Sequence, residues 1–75
     1  MTPSFWRKQQ GLSLREVAVQ LGVASAMTVL RYESGAREVP NRVALAYERM
    51  TERAVTSEEL NAVRVAFLRA HRTAA

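Results

Sequence analysis

LREVAVQLGVASAMTVLRYESG, residues Leu14 to Gly35, holds two runs of helical periodicity with a glycine between them. At helical spacing Leu14, Val17, Ala18 and Leu21 fall on one face of a first short helix. Gly22 interrupts it where a positive φ is cheap, and Val23 follows as an apolar anchor. Ser25 is placed to cap a second helix, in which Val29 and Tyr32 lie three apart and share a buried face. Gly35 stops that helix. Two short helices joined by a glycine-containing turn describe a helix-turn-helix.

With Val29 and Tyr32 turned inward, Ala26, Met27, Thr28, Leu30 and Arg31 are left on or near the outside. A solvated helix normally carries more charge than that. Small and apolar groups beside one arginine suit the major groove of DNA, where methyl groups meet thymine and a guanidinium forks onto guanine. The plainer alternative is that Met27 and Leu30 pack against another helix.

Seventy-five residues make one small domain, whose core buries about 60% of the unfolded surface. There is no cysteine, so stability must come from packed helices, helped by a partner chain. No apolar run is long enough for a membrane span. The start, MTPSFWRKQQ, has no apolar stretch of signal-peptide length, so a cytoplasmic protein is expected. The net charge is +4, and ten of the eleven basic residues are arginine. That sign suits a nucleic-acid binder, and arginine favours forked contacts to phosphate or base over diffuse attraction.

Upstream, Thr2 and Pro3 open a helix running to about Gln10, with Gly11 after it. Phe5 and Trp6 are its apolar members and are expected in the core. Ser13, with Glu16 three residues on, forms a capping box for the next helix. Taken together, Trp6-Arg7, Gly11-Leu12-Ser13, Glu16-Val17-Ala18, Leu21-Gly22-Val23, Arg31-Tyr32-Glu33, Gly35 and Pro40 resemble the Cro/cI-type helix-turn-helix repressors. The resemblance covers Phe5 to Met50, and its specificity lies in the order and spacing of landmarks that are individually common. It implies an all-α, five-helix, lambda-repressor-like fold and a repressor that binds an inverted-repeat operator on double-stranded DNA as a homodimer.

The chain departs from that pattern twice. Leu14 stands where the family usually has a glutamine that contacts a phosphate; Arg15, beside it, is the candidate replacement. The interval from Leu21 to Gly35 is also one residue longer than the common spacing, and the turn at Val23 to Ala26 must absorb it. This longer turn, with VASAMTVLRYESG and AREVP, resembles the small repressors associated with anti-CRISPR operons of phages. The family resemblance further implies that Arg7 pairs with Glu33, an arrangement that suits a carboxylate near a helix C-terminus. It also places Arg37 and Arg42 along the DNA backbone. Arg15, Arg37 and Arg42 are therefore expected on phosphates with Ser25 helping at the helix start. Met27, Thr28 and Arg31 are expected on bases, with Ala26 and Leu30 near the groove.

Residues 34–40, SGAREVP, read as a loop, and Pro40 discourages helix through Val39. Asn41 is expected to cap a helix running to about Thr51 and to join the DNA-binding set. Val43, Ala46, Tyr47, Met50 and Ala54 follow its inward spacing. Thr56 and Glu59 form a second capping box, opening a helix to about His71. In it Leu60, Val63, Phe67 and Ala70 make a narrow apolar seam, expected to dimerise with the same helix of a second chain rather than fold back. The tail from His71 to Ala75 is expected to fray.

No catalytic constellation is present: the serines lie at caps and turns, and no histidine is placed to activate them. His71 is the single histidine, so neither a metal site nor a cofactor is expected. Two other functions fit the pattern. An antitoxin that represses its own operon would need a surface for its toxin partner, and a protein-interaction module would use the Leu60–Phe67 seam.

Overall fold

Short-range capping sets where the helices begin. The computed structural model describes residues 1–72, which form five α-helices and, among the described residues, no strand. These are α1 (Pro3–Gln9), α2 (Leu14–Leu21), α3 (Ala26–Ser34), α4 (Asn41–Met50) and α5 (Ser57–Ala70). Thr2 Oγ1 accepts from the Phe5 amide at 3.2 Å, with Pro3 in the first turn. Ser13 and Glu16 close a reciprocal box over α2: Ser13 Oγ accepts from the Glu16 amide at 3.0 Å, and Glu16 Oε1 from the Ser13 amide at 2.8 Å. Those bonds favour the ionised carboxyl and hold Glu16 below the usual carboxylate range.

Two expected caps are corrected. Pro40, not Asn41, is the N-cap of α4, and no side chain bonds to that helix start; Asn41 is already the first helical residue. At α5 only half of the box forms. Thr56 Oγ1 accepts from the Glu59 amide at 3.3 Å, while the Glu59 carboxylate pairs with the chain's amino terminus instead. A full charge outcompetes a backbone N–H for a carboxylate. The expected tail lies outside the described residues from position 73 onward.

α3 sits at the centre of the packing. α1, α2 and α5 all touch it, and α4 lies between α2 and α5. The core is Trp6, Val17, Ala18, Leu21, Val29, Tyr32, Val43, Ala44, Tyr47, Val55 and Leu60. Phe5 is not in it: 58% of its surface is exposed, because α1 is short and turns its Trp6 side inward. Val55 is fully buried although it lies between helices. Thr51 holds it there, its hydroxyl donating to the Tyr47 carbonyl at 2.6 Å and accepting from the Val55 amide at 3.0 Å. The turn between them places Glu52 and Arg53 at φ +53° and +66°, a left-handed pair that costs conformational energy and is held by Val55 inside.

The seam of α5 is also corrected. Leu60 is 3% exposed and belongs to the domain's own core, and Val63 and Phe67 lie half-buried against the end of α3. An apolar stripe at four-three spacing suits any helix–helix contact, and α3 and α4 of the same chain supply it. Of the four seam residues, Ala70 alone is exposed. Among the described residues no helix is long and apolar enough to cross a membrane.

Candidate nucleic-acid interface

The turn between α2 and α3 determines which side of α3 faces outward. Gly22 caps α2 in the left-handed conformation, φ +73°, and the Val23 amide reaches back to the Ala18 carbonyl at 3.0 Å. That six-residue closure aims Val23 against the core. Ser25 then starts α3: its Oγ accepts from the Thr28 amide at 3.2 Å and lies 3.1 Å from the Thr28 hydroxyl.

Within α3, Val29 and Tyr32 are 0% and 5% exposed. The opposite strip is Met27, Leu30, Arg31 and Ser34, all exposed. Met27 keeps 52% of its surface in solvent and Leu30 42%, so neither is a core residue. Two members of the expected set sit differently. Ala26 is half-buried, one turn before Val29 on the inward side, and does not belong to the outward strip. Thr28 is half-buried too, its hydroxyl engaged with Ser25. Ser34 joins the strip rather than the loop expected for residues 34–40; its spacing from Met27 and Arg31 is the signal that points to it.

Arg31 lies beside the loop that follows. Its carbonyl accepts from the Arg37 amide at 3.3 Å, which brings Arg37 to the end of the strip. Arg37 and Arg42 are exposed, as is Arg15 on α2. Among the described residues the ion pairs are Arg7–Glu33 and the amino terminus with Glu59, so Arg15, Arg31, Arg37 and Arg42 have no carboxylate partner. Arg15 lies on α2, beside a shallow surface cleft lined by Ser13, Glu16, Val19 and Gln20, all on or capping that helix. Asn41 is exposed but also lines a cavity of about 230 Å³ between α4 and α5, with Glu38, Asn61 and Arg64. The three amides opening α4, of Asn41, Arg42 and Val43, are the helix start with no side-chain cap, since the N-cap is Pro40, an electropositive end open to an anion.

Beneath the strip a single ion pair ties three segments. Arg7 Nε donates to Glu33 Oε2 at 2.6 Å and Nη2 to Oε1 at 3.1 Å, while Nη1 donates to the Leu12 carbonyl at 3.1 Å. The Glu33 side chain is 4% exposed. The carboxylate makes Arg7 hold its proton more tightly than usual, against the opposing effect of burial. Tyr47 is buried nearby and its hydroxyl has no hydrogen-bond partner among the described residues; burial, then the charge of Glu33, pushes its ionisation well above the ordinary range.

Sequence reasoning passed over Arg64. It lies on α5 between Val63 and Val65, and Nη1 donates to the Gly35 carbonyl at 2.9 Å. Its position four residues after Leu60 places it toward the inward side, which is the signal that could have found it. In comparisons with known proteins, no family model, curated protein or solved structure matches this chain.

Proposed function

We propose that the protein is a sequence-specific DNA-binding transcriptional regulator, a repressor in which α2, the turn at Gly22–Ser25 and α3 act as a helix-turn-helix. The observation that carries this reading is the outward strip of α3. A helix face left bare in a 75-residue domain should be charged. This one presents Met27 and Leu30 with one unpaired guanidinium, Arg31. Methyl and thioether groups offer nothing to water, whereas the major groove supplies thymine methyls for them and a guanine edge for the arginine. Arg37, at the end of the strip, suits a phosphate, as do Arg42 and the open amides of α4, and Arg15 adds a further cation on α2. The family resemblance points the same way and extends the proposal to operons of the anti-CRISPR kind.

One such helix reads only a few base pairs, too few to single out a site among genomic competitors. The reading therefore includes a homodimer on an inverted repeat, its half-sites roughly 34 Å apart. With Leu60, Val63 and Phe67 turned onto their own domain, the surface left for the second copy is the exposed side of α5 that carries Ala62, Ala66 and Leu68. A second reading, an antitoxin, would place its toxin on this same apolar face; isolation of a stable complex with a companion protein would favour it.

The test is selection of bound DNA from a random pool at stated salt, followed by two substitutions. Arg31→Ala should cost roughly 1–3 kcal/mol on the selected operator and relax preference at one base pair. Arg37→Ala should weaken all sequences alike and reduce the salt slope by about one. Equal losses on specific and non-specific DNA for Arg31→Ala would make it a phosphate contact and sink the assignment.

A further inference from the structure

Gly35 is where α3 ends. Its N–H bonds to the Arg31 and Tyr32 carbonyls, and the Arg31 carbonyl also accepts from the Arg37 amide at 3.3 Å. One backbone oxygen thus joins the residue assigned to a base with the residue assigned to a phosphate. The next free oxygen at this junction, the Gly35 carbonyl, accepts from Arg64 Nη1 at 2.9 Å, a partner 29 positions away on α5. α5 runs directly over the spot, since a Cβ on Gly35 would lie 2.5 Å from the Val63 carbonyl oxygen. A cation here faces the negative end of the α3 dipole, in a part-buried setting where a charge-assisted bond is strong.

We infer that Arg64 is a positioning residue for the DNA-reading surface: by pinning Gly35 it fixes the loop bearing Arg37 relative to α3. The inference rests on the regulator reading for its consequence, while the pinning itself concerns the free protein. Arg64 belongs to the helix that the sequence assigns to a partner chain, and it makes that helix a brace for the reading helix of its own chain. Loss of the guanidinium leaves α3 folded, since Val29 and Tyr32 hold it, and releases the angle at which Arg31 and Arg37 meet their targets together.

Arg64→Met keeps the apolar stem and removes the donor; Arg64→Lys keeps a cation within reach. Melting and far-ultraviolet dichroism should show both variants folded. Arg64→Met should bind the selected operator roughly tenfold more weakly, with non-specific affinity and salt slope unchanged, and Arg64→Lys should recover most of that loss. Unchanged operator affinity in Arg64→Met, or equal losses on specific and random DNA, would overturn the positioning role. Amide exchange in the DNA-free protein reads the pin independently. Exchange at Gly35 to Arg37 should quicken in Arg64→Met while that of Val29 and Tyr32 does not, and equal exchange in both proteins would refute the pin. A wild-type protein that selects no DNA sequence would defeat the regulator reading, and the exchange result would still decide whether Arg64 holds this junction.

Discussion

Gly35 and Gly22 both end helices at positive φ, +86° and +73°, yet they answer to different constraints. Around Gly22 a Cβ would meet nothing within 4 Å, whereas at Gly35 it would meet the Val63 carbonyl oxygen at 2.5 Å and Phe67 Cβ at 2.8 Å. Gly22→Ala should therefore cost only the left-handed backbone penalty, about 1–2 kcal/mol. Gly35→Ala adds the displacement of α5, about 1–3 kcal/mol more. Thermal melting of the two variants checks the ranking; equal losses would show that α5 moves freely off α3. Both glycines are legible as stops from sequence. The crowding at Gly35 is not, because the atoms that fill it come from residues far along the chain.

Rotation of α3 about its axis decides whether the molecule can read DNA at all. Val29 is fully buried and Met27 is half in solvent, so Val29→Asp should unfold the domain by burying an unpaired charge. Met27→Ala should leave melting within about 0.5 kcal/mol, as expected for a surface change. The reverse order would mean that Met27 is core and that the outward strip lies elsewhere. This rotation was readable beforehand because Val29, Tyr32 and the stop at Gly35 are close neighbours in sequence. Ala26 is not legible in this way: an alanine gives no sign of which side it lies on, and the N-cap at Ser25 sets it inward. Phe5 and Trp6 show the same limit, since adjacent aromatics on a short helix cannot both face the core and nothing local says which one does.

Assembly should follow from the outer side of α5. Leu68 is 49% exposed there, while Phe67 lies against Gly35. Leu68→Glu should give a folded monomer with normal melting, lost operator binding and residual non-specific binding, all measurable by sedimentation and titration with DNA. Phe67→Glu, in contrast, should lower the melting temperature, because it places a charge between α5 and α3. A Leu68→Glu protein that still sediments as a dimer would locate the contact on another face, and a monomeric wild type would defeat the dimer proposal itself.

The amino-acid order settled the helices, their caps at Thr2, Ser13, Ser25 and Thr56, and the inward faces of α2 and α3; in α4 it marks Val43 and Tyr47 but not the buried Ala44, while Ala46 and Met50 are only partly buried. Those features depend on neighbours three or four residues apart, so a linear reading contains the interacting groups. The partner of each face was decided in three dimensions. The stripe of Leu60, Val63 and Phe67 required an apolar cover but carried no mark of whose helix would provide it. The bond from Arg64 to Gly35, 29 positions apart, likewise depends on the chain turning back after α4. Such contacts join residues whose separation in sequence leaves no periodic trace, and only the folded chain brings them within reach.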